Sequence, residues 1–210
     1  MRILLIAATT FEIDDFLKNN NNVEVLICGI GTPATIYHLT KKILQDTYDL
    51  VIQAGIAGTF SNKIKKGEVV LVKQDSFGDI GVEEKGEFKT IFQLGFTDEN
   101  KFPFNDGWLV NQHEILQTTH LKVADAVTVN RLSDRKKQTL QLQKIFNADI
   151  ESMEGAALHY VCMQMKIPFL QMRGISNKAG ERNKNKWKIK DAVENLNIEL
   201  INLIQTLLKP

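Results

Sequence analysis

The sequence predicts an α/β protein: a single three-layer domain in which helices flank a central mixed, mostly parallel twisted sheet. Short apolar runs rich in strand-forming residues recur along the chain, and helical patterns separate several of them, as in sheets covered on both faces. The length of 210 residues suits one large domain. The composition, 43% apolar and 24% charged, is that of an ordinary globular protein. We therefore predict one domain over residues 1–210.

Six apolar runs carry the predicted sheet. Each run is short and rich in residues that favour strands. In chain order they read RILLIAA, VEVLICGI, DLVIQAGIAG, EVVLVKQ, KVADAVTVN and PFLQMRGIS. A further short strand is expected at the start of DIESMEGAALHYVC, residues 149–162, where it leads into a helix.

Three helices are predicted from apolar spacing. In the first, Thr32 can cap the helix, Pro33 suits the first helical position, and ATIYHLTKKILQDT follows with helical periodicity. The second extends from about Glu154 to Lys166 and ends before Pro168, because the residue ahead of a proline disfavours helix. The third, DAVENLNIELINLIQTLL, is long and amphipathic.

Two segments lack these periodic patterns. Residues 76–108 contain five glycines and scattered aromatic residues among charged ones. This composition predicts a hairpin followed by a long loop, of the kind that often covers a site or forms an interface. The four asparagines at 19–22 predict a turn between the first helix and the second strand.

Composition excludes several classes of function. No stretch of about 18 apolar residues is present to span a bilayer, and the net charge of +1 provides no field that would gather nucleic acid. Met1 leads directly into an apolar strand without a signal-peptide pattern, so we expect a cytoplasmic protein. Cys28 and Cys162 stand in apolar runs without metal-ligand spacing and are expected to be buried thiols. We predict no metal or cofactor and a small-molecule partner.

Two segments that follow predicted strands are candidates for a binding site. The glycines of AGIAGTFS, residues 54–61, would let backbone N–H groups approach a ligand, or would simply form a tight turn. Their pattern matches neither a dinucleotide fingerprint nor a P-loop. Glu12, in TTFEIDDF at residues 9–16, lies at the same expected edge of the sheet. It could act there, or could only stabilise the first turn of a helix.

The segment SMEG, residues 152–155, has two interpretations. Ser152 can cap the following helix, with Met153 filling the core. Alternatively, Glu154 accepts two hydrogen bonds from a vicinal diol such as ribose, because a carboxylate has two acceptor oxygens and no donor. Met153 would then form an apolar floor for the sugar. Glu151 is interpreted as a polar residue at the strand end.

The segment MRGISNKAGERN, residues 172–183, ends the last strand with polar residues. Asn177 offers an NH₂ donor and an acceptor oxygen and is interpreted as a contact for the N7 and O6 edge of a 6-oxopurine, although an Asx turn would also explain it. Lys178 and Arg182 are interpreted first as solvated charges.

Together and in this order, the segments resemble the nucleoside phosphorylase and nucleosidase superfamily, specifically its hydrolases of 5′-substituted nucleosides. The resemblance covers nearly the whole chain. It rests on Glu12 after the first strand, on AGIAG followed by KKGEVVLV, on SMEGAA leading a helix, and on RGISN ending a strand. ESMEGAA together with SNKAGERNKNKW looks most like the futalosine hydrolases of the alternative menaquinone pathway.

The resemblance implies an N-glycosyl hydrolase that works without a cofactor and releases hypoxanthine from futalosine. Glu12 would be the carboxylate that activates water, with Arg173 nearby to orient it. Glu154 would bind the ribose hydroxyls. The other implied sugar contacts are Met153 and the backbone at Ala57 and Gly58.

The resemblance also implies which purine base is released. Relatives that cleave adenine nucleosides carry an aspartate where this chain has Asn177, and that aspartate helps to protonate N7. Asparagine has no proton of useful acidity but can hydrogen-bond N7 and O6 of hypoxanthine, so an inosine-like base is favoured. Ser176 precedes it in the same implied site. The alternative is a 5′-methylthioadenosine/S-adenosylhomocysteine nucleosidase that releases adenine.

Similar comparisons with the family predict the nucleophile and the residues that contact the 5′ substituent. The phosphorylase branch needs an arginine-rich phosphate site after the first strand, where this chain has AATTFE, so water is the predicted nucleophile. The benzoate of futalosine calls for an aromatic-lined slot and a cation, for which Lys178, Arg182 and Arg131 are candidates. The superfamily usually forms homo-oligomers, and we expect the same here. A noncatalytic nucleoside-binding protein with this fold remains an alternative.

Overall fold

The computed structural model describes residues 1–19, 23–132, 134 and 136–209, so most of the expected asparagine turn, at residues 20–22, lies outside the described residues. The strands in these ranges are β1 (Ile3–Ala7), β2 (Glu24–Ile27), β3 (Leu50–Thr59), β4 (Val69–Phe77), β5 (Gly81–Glu84), β6 (Glu87–Thr90), β7 (Leu109–Val110), β8 (Lys122–Thr128), β9 (Ile150–Ser152) and β10 (Phe169–Lys178).

The helices in the same ranges include the three that were predicted. They are α1 (Asp14–Asn19), α2 (Thr32–Gln45), α3 (Ile115–Thr118), α4 (Lys136–Phe146), α5 (Gly155–Met165) and α6 (Ile189–Leu207), with 3-10 turns at Thr10–Ile13 and Lys184–Lys186. Within the part of the chain that the structure describes, no helix combines the length and apolar character needed to cross a bilayer.

The central sheet is mixed and mostly parallel, which confirms the predicted fold class. Parallel pairs join β1 to β2, β1 to β3, β3 to β10, β4 to β8, and β8 to β9. Antiparallel pairs join β10 to β4, β9 to β3, and β7 to β4. The separate hairpin β5–β6 lies inside the segment for which a hairpin and a long loop were predicted.

One feature of the sheet was not predicted. Because β3 pairs with both β10 and β9, the strands β3, β10, β4, β8 and β9 close into a strand ring, from which β1 and β2 extend. Each strand of the ring contributes to one apolar cluster that fills its interior. The cluster includes Ala57, Val70, Val72, Ala126, Ile150 and Ile175.

The remaining core lies on the two faces of the sheet. Successive residues of a strand face opposite sides, so the fully buried β1 divides its side chains between two clusters. Leu5 packs in the cluster that contains Leu200 of α6, whereas Leu4 packs in the cluster that contains Leu39 of α2 and Leu158 of α5. Helices therefore cover both faces, and the three-layer prediction is confirmed.

The helix starts differ slightly from those predicted. The N-cap of α2 is Gly31, not Thr32, because the Thr32 hydroxyl donates to Asn130 Oδ1 at 2.6 Å instead of capping its own helix. The N-cap of α5 is Glu154, not Ser152. Ser152 is the last residue of β9, although its Oγ still accepts a hydrogen bond from the Gly155 N–H at 3.3 Å.

Candidate active site

The candidate site is a cavity of about 230 Å³ at the carboxyl ends of β1, β3 and β10, beside the start of α5. Residues far apart in sequence meet here because the carboxyl ends of parallel strands share one edge of a sheet. Most of the side chains and backbone positions singled out in the sequence line this cavity. They are Glu12, Ala57, Gly58, Met153, Glu154, Ser176, Asn177 and Arg182.

Three hydrogen bonds hold the Glu12 carboxylate at the wall of the cavity. Its Oε2 accepts from the Thr9 N–H and the Thr9 hydroxyl, each at 3.1 Å, which forms a capping box at the 3-10 turn. Its Oε1 accepts from the Ile56 N–H at 3.0 Å. The side chain is therefore both a cap and an oriented carboxylate at the cavity wall. The two interpretations left open by the sequence do not exclude each other.

Arg173 lies beneath the cavity and does not line it. Its Nη2 donates to Gln53 Oε1 at 2.6 Å, and its Nη1 stands 3.8 Å from Glu154 Oε2. Gly55 explains how the guanidinium fits: a Cβ at that position would collide with Arg173 Nη1 and stand 3.0 Å from Glu12 Oε1. The missing side chain of Gly55 thus leaves room for the guanidinium beside the Glu154 carboxylate.

Glu154 lies across from Glu12 as the N-cap residue of α5. Its Oε1 accepts from the Gly31 N–H at 3.0 Å, which the left-handed backbone of Gly31, at a φ of 88°, presents to it. Burial raises the pKa of Glu154, the nearby Arg173 charge opposes this, and the Glu12 charge adds to it. The Glu154 carboxylate therefore lies in the fields of both the Arg173 and the Glu12 charges.

Asn177 lies where the ladder between β10 and β3 shifts register, between Ile175 and Asn177. Its Oδ1 accepts from the Ser176 hydroxyl at 2.7 Å, and its Nδ2 donates to the Lys178 carbonyl at 2.7 Å. The amide borders the cavity over Gly58, whose absent Cβ would stand 3.2 Å from Asn177 Nδ2. The predicted amide is thus present at the cavity wall, in contact with its own chain.

The three cations proposed for the 5′ side are not brought together. Lys178 Nζ donates to Asn62 Oδ1 at 2.8 Å and does not line the cavity. Arg131 borders a second cavity of about 240 Å³ that is also lined by the β5–β6 hairpin and α4. Arg182 does line the first cavity, with its guanidinium 5.5 Å from the centre of the Trp187 ring.

Sequence reasoning missed several residues of the site. Apolar lining comes from Phe11, Ile30, Leu132 and Trp187, none of which was singled out as a site residue in the sequence. Glu151 was interpreted as a polar strand end, yet only 6% of it is exposed and it lines both cavities. Burial raises its pKa to about 7, against a hydrogen bond from the Gly180 backbone and the Arg182 charge. The sequence did offer one signal for Glu151, a charged residue within a short strand whose other residues are buried.

A buried polar layer supports the start of α5. The Thr128 hydroxyl donates to Asp75 Oδ1 at 2.9 Å and accepts from the Ala156 N–H at 2.8 Å. Burial raises the pKa of Asp75 to about 7, against the hydrogen bond from Thr128 and the nearby Arg173 charge. Next to it, burial lowers the pKa of His159 to about 4, and His159 Nδ1 lies 2.8 Å from the Leu109 carbonyl oxygen. These groups fix the helix that carries Glu154.

Among the residues that the structure describes, no group of three or more His, Cys, Asp or Glu side chains is arranged to hold a metal ion. Cys28 and Cys162 are both buried thiols, as expected. Burial raises the pKa of each thiol above its ordinary value. Neither side chain lines the candidate site.

Comparisons with known proteins agree with the resemblance seen in the sequence. A sequence model of the phosphorylase superfamily matches residues 6–209. Futalosine hydrolase of Thermus thermophilus is 28% identical over 176 residues, which cover 80% of this chain and 75% of the relative. Aminodeoxyfutalosine nucleosidase of Campylobacter jejuni is 29% identical over 173 residues, which cover 80% and 73% respectively.

The fold is shared with solved structures. The 5′-methylthioadenosine/S-adenosylhomocysteine nucleosidase of Helicobacter pylori, crystallised with butyl-thio-DADMe-Immucillin-A, superposes with a TM-score of 0.80 at 17% sequence identity. The match covers 98% of each chain. The predicted fold is therefore confirmed by these structures, and the predicted enzyme class agrees with the relatives.

Proposed function

Because the chain belongs to the phosphorylase superfamily, we propose that it hydrolyses the N-glycosidic bond of futalosine, releasing hypoxanthine and leaving dehypoxanthine futalosine. The observation that carries the proposal is the convergence of Glu12, Glu154 and Asn177 on one cavity. The two carboxylates suit a sugar that becomes cationic, and the amide suits a 6-oxopurine. The similarity to futalosine hydrolase of Thermus thermophilus supports the choice of substrate.

The proposed reaction breaks the bond between C1′ and the purine nitrogen. The base leaves with the electron pair of this bond and becomes neutral hypoxanthine by taking up one proton from solvent, while the proton that Glu12 takes from the attacking water returns to solvent. The transition state resembles an oxocarbenium ion, as in other glycosidic cleavages. Glu12 takes a proton from the water that bonds to C1′, since general-base catalysis requires an oriented acceptor at the reacting centre. Arg173 contacts Gln53 and Glu154, does not itself line the cavity, and is proposed to position Glu154.

Glu154 is proposed to bind the ribose hydroxyls. One of its oxygens is held by the Gly31 N–H, and a carboxylate can accept further hydrogen bonds from a diol. Met153 lines the same cavity and provides an apolar surface for the sugar. The backbone at Ala57 and Gly58 completes this side of the site.

Water is the proposed nucleophile because the cavity is acidic. The carboxyl groups of Glu12, Glu151, Glu154 and Glu181 line it, and among its described lining residues Arg182 is the basic one. Such a lining repels a phosphate dianion and stabilises a cationic ribosyl group. Phe11, which is 57% exposed, and Arg182 line the same cavity and are proposed to meet the aromatic carboxylate of the 5′ substituent.

The second candidate function is an adenine-releasing nucleosidase. The chain is 29% identical to aminodeoxyfutalosine nucleosidase of Campylobacter jejuni and 28% identical to the futalosine hydrolase, and the former similarity supports this second candidate. A nucleosidase acting on methylthioadenosine or S-adenosylhomocysteine belongs to the same class. All these adenine nucleosides differ from futalosine at position 6 of the purine, and methylthioadenosine and S-adenosylhomocysteine differ from it in the 5′ group as well.

A side-by-side assay separates these candidates. The purified protein is incubated with futalosine, its 6-amino analogue and 5′-methylthioadenosine, and the released bases are quantified by chromatography. We expect the highest kcat/KM for futalosine. Preference for 5′-methylthioadenosine would refute the assignment of both the base and the 5′ group. Tight binding of futalosine without turnover would instead support a noncatalytic binding protein.

A further inference from the structure

The buried polar layer beneath α5 contains hydrogen-bonding atoms that have no partner. Asp75, His159 and Gln171 are fully buried. Within the described ranges, Asp75 Oδ2, His159 Nε2 and both amide atoms of Gln171 make no hydrogen bond. Unpaired polar atoms in the interior cost free energy, so protons and amide orientations are expected to pair them.

The Gln171 amide lies between the other two groups. A Cβ on Gly155 would collide with both Gln171 Nε2 and Asp75 Oδ2, so these two atoms share the space that the glycine leaves. His159 follows Gly155 by four residues on α5 and lies on the same face of the helix. Burial dominates the pKa of Asp75 and of His159, and the Gln171 amide acts on each of them as well.

Hydrogen bonds fix the two ends of this chain of groups. Asp75 Oδ1 accepts from the Thr128 hydroxyl at 2.9 Å, which leaves Oδ2 for the amide. At the other end, His159 Nδ1 lies 2.8 Å from the Leu109 carbonyl oxygen. A carbonyl oxygen can only accept, so His159 Nδ1 carries the hydrogen. Nε2 of the neutral imidazole is then an acceptor.

Matching donors to acceptors requires one proton on this chain. If His159 is neutral, its Nε2 pairs with the Gln171 NH₂ group, which turns the amide oxygen towards Asp75 Oδ2. Two bare oxygens repel each other, so Oδ2 must then carry a hydrogen. The other solution turns the amide round and pairs an ionised Asp75 with a cationic His159. Both solutions hold the same single proton.

Burial and the Arg173 charge decide where that proton lies. Together they lower the pKa of His159 to about 4, whereas burial raises that of Asp75 to about 7. Arg173 also favours an ionised Asp75, but burial outweighs it. The groups that face Asp75 are Gln171 and Arg173 from β10, His159 from α5, Thr128 from β8 and Leu109 from β7. The proton is therefore assigned to Asp75.

We propose that Asp75 is a positioning residue that works as a neutral carboxylic acid, donating its proton to Gln171 and leaving the Arg173 charge to Glu154. The inference rests on the proposed role of Glu154 at the ribose. Arg173 Nη1 stands 3.8 Å from Glu154 Oε2, and an ionised Asp75 would compete for that guanidinium. Gly155 makes the arrangement possible, because a larger residue would displace the amide.

Infrared spectroscopy tests the protonation state. The spectrum of the wild type minus that of Asp75→Asn should show the C=O stretch of a carboxylic acid, which disappears as the pH rises through about 7. Asp46→Asn is the matched control. Because Lys42 pairs with Asp46 and lowers its pKa, that carboxyl group is ionised, and the control difference should show no such band.

Nuclear magnetic resonance of ¹⁵N-labelled wild type locates the other hydrogen. His159 should be a neutral imidazole with its hydrogen on Nδ1 from about pH 5 to about pH 9. This measurement needs no variant, so a folding defect in Asp75→Asn cannot leave the proposal untested. Absence of the acid band, or a cationic His159 at about pH 6, would overturn the proposal.

Kinetics test the positioning role. Asp75→Asn keeps an oxygen for Thr128 and an NH₂ group for Gln171 Oε1, so it reproduces the neutral acid at every pH. We expect the ratio of the wild-type KM for futalosine to that of Asp75→Asn to rise at least about threefold from pH 6 to pH 8, as the wild-type Asp75 ionises. A ratio that is constant over this range would refute the positioning role.

Failure of this inference is distinguishable from failure of the proposed function. If futalosine is hydrolysed and the acid band is absent, the neutral Asp75 is wrong while the function stands. If futalosine is not hydrolysed and the band is present with a neutral His159, the neutral acid stands while the substrate assignment is wrong.

Discussion

At the scale of single residues, the site depends on a few polar side chains that are oriented by backbone groups. Glu12 is held by Thr9 and Ile56, and Glu154 is held by the Gly31 N–H. The sequence predicted these carboxylates because each follows a strand, at the edge where α/β sheets bind ligands. It did not predict that Arg173 would lie below the cavity, because whether a strand residue faces the core or the site depends on pairing.

Replacing Glu12 tests its proposed role as the general base. Glu12→Gln keeps the shape of the side chain and an acceptor oxygen, but a neutral amide cannot take a proton from water. We expect kcat for futalosine to fall by about 10²–10⁴-fold, the contribution typical of a general base. Steady-state kinetics with chromatographic detection of hypoxanthine measure the loss.

Asp15→Asn is the matched control for that substitution. Asp15 lies on α1 close to Glu12 in sequence, is exposed, and pairs with Lys18. It should retain wild-type kcat and a wild-type melting temperature. Normal turnover by Glu12→Gln would remove Glu12 from the role of base, and equal losses in both variants would point to a folding defect.

At the scale of elements, the polar layer under α5 couples the helix to the sheet. Thr128 of β8 connects Asp75 of β4 to the Ala156 N–H in the first turn of the helix. This layer could not be predicted, since its members come from separate elements and carry no motif. α4 was missed for a different reason: its segment KKQTLQLQKIF has few apolar residues, and none of its residues is buried.

The buried Asp75 predicts a specific dependence of stability on pH. Burial raises its pKa from 3.8 to about 7, so between these values the folded state holds a proton that the unfolded state has lost. Its stabilising contribution is complete below pH 3.8 and is lost as the pH rises towards 7. Asp75→Asn has no such proton. The free energy of unfolding of the wild type should fall relative to this variant by up to about 1.4 kcal/mol per pH unit.

Urea unfolding of both proteins measures this difference. The free energy of unfolding of the wild type minus that of the variant should fall from pH 5 to pH 7 and then level off, because above the folded-state pKa of about 7 both states of Asp75 are deprotonated. Other titrating groups are common to both proteins and cancel in the difference. Parallel curves over this range would show that Asp75 does not carry a raised pKa.

At the scale of the whole molecule, the layered fold was predictable and the strand ring was not. The alternation of apolar runs and helical patterns determines the layers, but β10 pairs with both β3 and β4, and sequence periodicity does not reveal such long-range pairing. The ring brings Asn177, Gly58 and Glu151 into one row.

The homo-oligomer and the cytoplasmic location stay predictions. The exposed Phe96 and Phe102 of the 76–108 segment are available for a subunit contact.

The most direct test of the central claim is the reaction of the wild-type protein with futalosine in phosphate-free buffer. The cavity geometry predicts release of hypoxanthine together with an equal amount of dehypoxanthine futalosine, at a rate that added phosphate does not change. Absence of hypoxanthine release, or release that requires phosphate, would contradict the account.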